Sequence, residues 1–204
     1  MNEEHPRLLI ATRNRGKIRE FAALSADLDV AVVGLEDLGI SVDIPETGGT
    51  FAENAMLKAR GYALQAGCVT LADDSGLEVV ALDGRPGVLS ARYGGSEMPF
   101  DEKMRLLLAE LDQTAANDRR ARFIASIAVA DHDGRLLHLT EGICTGRIAD
   151  SPRGNGGFGY DPLFIPDGYD QTFGELPDAV KQNISHRARA FSQIIPFLRG
   201  FFAI

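Results

Sequence analysis

A chain of 204 residues, 45% hydrophobic and 25% charged, has the composition of a globular protein and not of a disordered segment; it is long enough for one domain with two lobes. Its formal net charge of −8 excludes the broad basic surface that a nucleic-acid polymer demands, while leaving room for a local basic pocket that takes one nucleotide. The two cysteines, Cys68 and Cys144, are too few for a disulfide framework, the start of the chain lacks a basic and apolar leader, and no apolar run approaches the ~20 residues that span a bilayer, so a soluble, cytoplasmic protein with no membrane segment is expected.

In chain order, Leu8-Leu9-Ile10-Ala11 reads as a buried first strand. It ends at Thr12-Arg13-Asn14-Arg15-Gly16-Lys17, a polar turn that opens a helix with Ile18, Phe21, Leu24 and Leu28 on one face. Val30–Val33 is a second strand, and Leu35–Gly49 is irregular. Thr50 starts a long helix, with Glu53 at the capping-box spacing and Asn54 and Lys58 one turn apart; Gly67 ends it. Val69–Ala72 predicts a buried strand running into Asp73-Asp74-Ser75-Gly76, where the composition signals a sharp turn before a further strand, Leu77–Leu82.

Met104–Leu111 predicts a helix with Leu107, Leu108 and Leu111 inward. Arg122–Ala130 and Leu136–Gly146 alternate as strands around Asp133-Gly134, a hairpin signal. A glycine-rich loop from Gly154 to Asp161 leads to a strand near Leu163-Phe164-Ile165. The last helix starts near Ser185 and buries Ala188, Phe191, Ile195 and Leu198. Helices and strands interleave throughout, which predicts one α/β domain over residues 1–204 with a mixed sheet.

Four segments carry chemistry. The turn from Thr12 to Lys17 follows a strand and opens a helix, so its backbone N–H groups and the helix dipole suit an anion. Lys17 and Arg19 stand in the first helical turn, where a cation ordinarily costs about 0.3–1 kcal/mol, and a bound polyphosphate reverses that sign. The turn is not a Walker A loop: aligned on Gly16-Lys17, Ala11 replaces the first glycine and Ile18 the Ser/Thr. A basic turn of purely structural origin remains an alternative.

The second segment is the acidic pair. Neighbouring residues in a strand face opposite ways, so one of Asp73 and Asp74 faces a substrate at most, unless the strand has already ended. Glu46 is a candidate partner, since Mg²⁺ takes one or two carboxylates together with substrate phosphates and waters. An ordinary acidic turn gives the same local sequence. Third, Gly154-x-Gly156-x-x-Gly159 matches a dinucleotide fingerprint but leads into a strand instead of a helix, which rejects a Rossmann site. A flexible wall that brings Phe158 against a flat base fits better. Fourth, Lys181, His186 and Arg187 offer hydrogen-bond donors, read as lying off the apolar face of the last helix; a surface or capping role for His186 is the alternative. No Ser-His-Asp set emerges, and neither cysteine has the basic surroundings of a reactive thiol.

Taken in order, Thr12-x-Asn14-x-Gly16-Lys17, Glu46-Thr47-Gly48, Phe51-x-Glu53-Asn54-Ala55-x-x-Lys58-Ala59, Ala72-Asp73-Asp74-Ser75-Gly76-Leu77, Pro86-Gly87-x-x-Ser90-Ala91-Arg92-Tyr93, Gly156-Gly157-Phe158-Gly159-Tyr160-Asp161-Pro162 and Ser185-His186-Arg187 resemble the inosine/xanthosine triphosphate pyrophosphatase family. The resemblance runs from about Leu8 to Leu198. It implies a two-lobed α/β fold around a long mixed β-sheet flanked by helices, with the active site in the cleft between lobes, and usually a homodimer. It implies hydrolysis of ITP, dITP and XTP to the monophosphate plus pyrophosphate, which removes damaged purines from the nucleotide pool.

Carried over, Asp74 is catalytic and shares Mg²⁺ with Glu46. Thr12, Arg13, Asn14, Arg15, Gly16, Lys17 and Lys58 hold the triphosphate with Ser75 beside them, and Phe158, Gly159, Tyr160, Asp161, Lys181, His186 and Arg187 hold the purine. Asp73 is left as a structural neighbour. Donors to a 6-oxo group reject a 6-amino base strongly; guanine shares the 6-oxo group, so they do not account for its refusal. A sensor that binds the nucleotide without hydrolysis, and a broader phosphatase, are the competing readings.

Overall fold

The computed structural model describes residues 6–114 and 118–202. Eleven elements follow: β1 (Arg7–Ile10), α1 (Arg15–Leu24), β2 (Ala31–Gly34), α2 (Phe51–Ala66), β3 (Val69–Val79), α3 (Phe100–Asp112), β4 (Arg120–Ala130), β5 (Leu136–Ile148), β6 (Phe164–Pro166), α4 (Asp178–Ile184) and α5 (His186–Phe201). The strands form one sheet in the order β2-β1-β3-β4-β5-β6. β1 runs parallel to β2 and β3, whereas β5 and β6 are antiparallel, so the sheet is mixed as expected. Among the described residues no helix is long and apolar enough to cross a membrane.

The chain divides into two compact units. The first comprises Met1–Asp74, Ala125–Gly142 and Arg187–Ile204. Here the two-residue period of a strand sorts β1 onto two cores. Leu8 and Ile10 join Phe21, Leu71, Ile127, Phe191 and Leu198, while Leu9 and Ala11 join Leu35, Ile40, Ala55, Ala59 and Tyr62. A strand buried on both faces reads as a continuous apolar run, which is why Leu8–Ala11 shows no alternation. α2 starts as its sequence predicts: Thr50 Oγ1 accepts from Glu53 N at 3.1 Å, and Gly67 closes the helix in the left-handed region at φ 62°.

The second unit comprises Ser75–Ile124 and Ile143–His186. Its core gathers Leu77, Val79, Met104, Leu107, Leu111, Phe123, Phe164 and Phe173. The rings of Phe123 and Phe164 lie 4.7 Å apart and those of Phe164 and Phe173 5.4 Å apart. Ser90 Oγ ties this core to the sheet, accepting from Leu77 N at 2.9 Å and donating to Gly87 O at 2.6 Å.

Three expectations change. The acidic pair does not follow a strand: β3 runs unbroken from Val69 to Val79, straight through Asp73-Asp74-Ser75-Gly76, and a 3-10 turn at Val80–Leu82 replaces the end of the expected second strand. Turn-forming composition yields here to pairing with the sheet and to burial, since Asp73 and Asp74 are both buried. Ile18 is exposed, because α1 turns Phe21 to the core and ends at Leu24. In α5 the fully buried position is Ile194, with Ile195 only partly covered.

Candidate active site

The acidic pair sits mid-strand, so its two side chains point to opposite faces of β3, and each face carries its own cations. Asp73 meets Lys17 Nζ of α1 at 2.5 Å and Arg187 Nη2 of α5 at 3.4 Å. Arg187 also pairs with Glu20 of α1. The Asp73 side chain has no exposed area. Burial would raise its pKa, but Arg187, Lys17 and Lys58 together outweigh burial and hold the carboxyl well below the usual carboxylate range. Burial lowers the Lys17 ammonium despite the pull of Asp73.

Asp74 faces α2. Lys58 Nζ donates to Asp74 Oδ1 at 2.9 Å and to Glu46 Oε1 at 2.7 Å, so one ammonium joins two carboxylates. Asp74 Oδ2 is buried and has no hydrogen-bond partner among the described residues. Desolvation therefore prevails: burial, aided by the charge of Glu46, pushes the Asp74 carboxyl up despite Lys58 and Lys17. Burial acts against the Lys58 ammonium, but Asp74 and Glu46 outweigh it and raise that group.

Glu46 stands in the irregular segment before α2, and that helix holds the segment down. Gly48 N donates to Asn54 Oδ1 at 2.8 Å and Gly49 N to Glu53 Oε2 at 2.7 Å. A Cβ on Gly48 would meet Glu53 Cβ at 2.6 Å, so only glycine allows this approach.

The turn before α1 differs from its expected form. Asn14 is the N-cap, and its Oδ1 accepts from Gly16 N at 2.9 Å and Lys17 N at 3.1 Å. Two N–H groups read as open to an anion are thus already capped. Thr12 Oγ1 accepts from Asn14 N at 3.2 Å. Arg13 turns to Asp43 and the Ile40 carbonyl, both at 2.9 Å. The Arg15 side chain is exposed.

In the second unit, Lys181 Nζ donates to Asp161 Oδ2 at 2.5 Å and lies 4.7 Å from the Phe158 ring centroid. The same Asp161 oxygen accepts from Phe158 N at 2.7 Å. Gly156 N donates to Gly174 O at 2.9 Å, and a Cβ on Gly154 would come within 2.1 Å of that carbonyl. The glycines thus serve a close, hydrogen-bonded approach and not the loose wall expected. Tyr160 Oη donates to Ser90 O at 3.1 Å, which turns that hydroxyl into the core. His186 stacks on Phe123 at 4.7 Å and is only 4% exposed. His186 and Arg187 are both buried, contrary to the expectation that they lie off the apolar face.

The Ham1 family model matches residues 8–197. The chain belongs to the Ham1 family. A dITP/XTP pyrophosphatase of Oceanobacillus iheyensis is 44% identical over 94% of this chain and 98% of its own length. One of Geobacillus kaustophilus is 48% identical over 92% and 91%. Among solved structures, a HAM1 protein of Coxiella burnetii superposes with a TM-score of 0.87 at 38% identity, covering 96% of this chain and 99% of that one. The Staphylococcus aureus Ham1 protein gives a TM-score of 0.84 at 39% identity, covering 96% and 99%.

Three residues around this Ham1 chain's site were given no site role from the sequence. Glu20 and Asp43 look like ordinary surface acids, and only the fold brings Arg187 and Arg13 to them. Asn54 left a signal: with Lys58 it shares the buried stripe of Phe51, Ala55, Ala59 and Tyr62, and polar groups on such a stripe need partners.

Proposed function

We propose that this chain hydrolyses ITP, dITP and XTP to the monophosphate and pyrophosphate, with Asp74 as the catalytic carboxylate. The observation that carries the reading is the pair Glu46 and Asp74 joined through Lys58, with Asp74 Oδ2 buried and open. Two carboxylates suit Mg²⁺, whose remaining ligands come from substrate phosphates and water. Glu46 and Asp74 would hold the ion, which when bound neutralises charge building on the phosphates. Lys58 then exchanges carboxylate contacts for phosphate contacts, joined by Lys17 and the exposed Arg15.

Asp74 accepts a proton from the attacking water, whose oxygen bonds to the α-phosphorus. The bond from that phosphorus to the oxygen bridging to the β-phosphate breaks, and pyrophosphate leaves with the electron pair. A raised carboxyl pKa suits this base, since its strength lies nearer that of the proton it accepts. For the base, Lys181 and His186 are donors to a 6-oxo group, beside the Phe158 ring. A 6-amino group would leave such donors unpaired, and discrimination on the order of 10⁴-fold follows.

Incubation of the protein with ITP and Mg²⁺ should yield inosine monophosphate and pyrophosphate in equal amounts. Release of orthophosphate alone would sink the reaction type. The same reading includes a homodimer in the cytoplasm, which light scattering and cell fractionation test.

A further inference from the structure

The irregular segment that carries Glu46 has no strand or helix to fix it, yet it is tied at both ends to the first unit. Downstream, Gly48 and Gly49 are held by Asn54 and Glu53 at the start of α2. Upstream, Asp43 Oδ1 accepts from Arg13 Nε at 2.9 Å and from Tyr62 Oη at 3.2 Å. Arg13 Nη2 reaches the Ile40 carbonyl at 2.9 Å, and the Ile44 backbone meets the Tyr62 hydroxyl. Gly61 completes the seat: a Cβ there would meet Ile44 Cδ1 at 2.5 Å, so the Ile44 side chain lies directly on α2. Residues 40–44 therefore rest on Arg13 and α2; Glu46 comes two residues later, and then the second anchor.

From this geometry we propose that Arg13, Asp43 and Asn54 are positioning residues for Glu46, and that Arg13 does not bind the triphosphate. An exposed Arg–Asp pair contributes little to global stability, because water screens it and both side chains lose freedom. Its effect here is local. Arg13 turns its planar fork to a carboxylate and a carbonyl of one short segment, a two-point contact of fixed geometry. Asn54 acts through Oδ1 on Gly48 N; the amide is fully buried, and its Nδ2 has no partner among the described residues. The proposal rests on Glu46 as a Mg²⁺ ligand, and partners that orient a ligand typically govern metal affinity by about 10- to 100-fold.

The test compares Arg13→Ala, Asp43→Ala, Asp43→Asn and Glu46→Gln in the full-length protein. Hydrogen exchange of the ligand-free protein should show faster exchange across residues 40–49 in the two alanine variants, with α2 unchanged. Those variants should need about tenfold more Mg²⁺ for half-maximal activity on dITP, at the low end of the range for such partners. Their KM for dITP at saturating Mg²⁺ should stay at the wild-type value, and Asp43→Asn, which keeps its acceptor oxygen, should recover most of the loss. A raised KM in Arg13→Ala with unchanged exchange and Mg²⁺ requirement would overturn the proposal in favour of a phosphate contact. Unchanged exchange in both alanine variants would overturn it outright. Glu46→Gln separates the two layers: if it leaves the Mg²⁺ requirement unchanged, the metal assignment itself falls.

Discussion

Asp73 and Asp74 are neighbours on one strand, equally acidic in sequence and both buried, yet their surroundings push them in opposite directions. Asp73 meets Lys17 and Arg187 and is held ionised well below the ordinary range. Asp74 shares Lys58 with Glu46 and is pushed up. The difference lies in cation supply: two cations converge on Asp73, whereas two carboxylates divide one ammonium beside Asp74. A carboxylate that faces more cations than it needs holds elements together, and one that must share its cation is available to a ligand. Burial alone does not distinguish structural from reactive acids; the count of opposite charges facing each one does.

The largest expected effect tests the reactive side. Asp74→Asn should lower kcat on dITP by about 10²–10⁴-fold, the range for loss of a general base. Its melting temperature at neutral pH should not fall, because burial disfavours the charge that the substitution removes. A substantial loss of stability in this variant would put Asp74 in the same structural class as Asp73.

Asp73→Asn is expected to do the reverse. It strips Lys17 of its only ion-pair partner among the described residues and takes from Arg187 one of its two carboxylate contacts described above. Breaking a buried pair by removing one partner costs about 3–5 kcal/mol. Urea unfolding followed by circular dichroism measures it; a loss below ~1 kcal/mol would show that the Asp73 cluster is not holding α1 and α5 to the strand.

Much of this was legible in the sequence. The continuous apolar run of β1, the Thr50–Glu53 cap and the Asp133-Gly134 hairpin are local signals, and each is where its residues put it. The division of the acidic pair between two faces also follows from strand geometry alone. The extent of β3 was not legible, because Asp-Asp-Ser-Gly has turn composition and only flanking strands and buried cations override it. Nor was the burial of Arg187, whose partner Asp73 lies 114 residues away in the chain. A cation on an apolar face makes physical sense only once that carboxylate is in place.

The pH dependence sharpens the comparison. In the ligand-free protein, the Asp74 carboxyl should titrate above ~3.9, the ordinary aspartate value, and Asp73 should still be ionised below it. Carbon-13 chemical shifts of the side-chain carboxyls report both. For Asp73, depressed in the folded state, the stabilisation is present above ~3.9 and disappears as pH falls through its folded value. For Asp74, raised in the folded state, the contribution is full below ~3.9 and disappears as pH rises through its higher folded value. Asp74→Asn should therefore begin to gain on the wild type as pH rises above ~3.9 and gain fully above that higher value. A gain persisting in strong acid would mean that the substitution acts through packing instead of charge.

The smallest expected effect concerns Glu20, which decides whether Arg187 belongs to Asp73 or only passes near it. Arg187 is almost completely buried and touches both carboxylates, while the Glu20 side chain is 18% exposed and so partly screened by water. Glu20→Gln keeps an acceptor and leaves Arg187 and Lys17 with Asp73 between them, so the loss should be about 1.5 kcal/mol, that of one charged hydrogen bond. The loss must also be smaller in Asp73→Asn/Glu20→Gln than the sum of the two single losses or larger than it, because both act on one guanidinium. Strict additivity would show that Arg187 answers to Glu20 alone. Asp73 would then be held by Lys17 only, each acid would face a single ammonium, and the contrast between them would rest on Glu46 drawing Lys58 away.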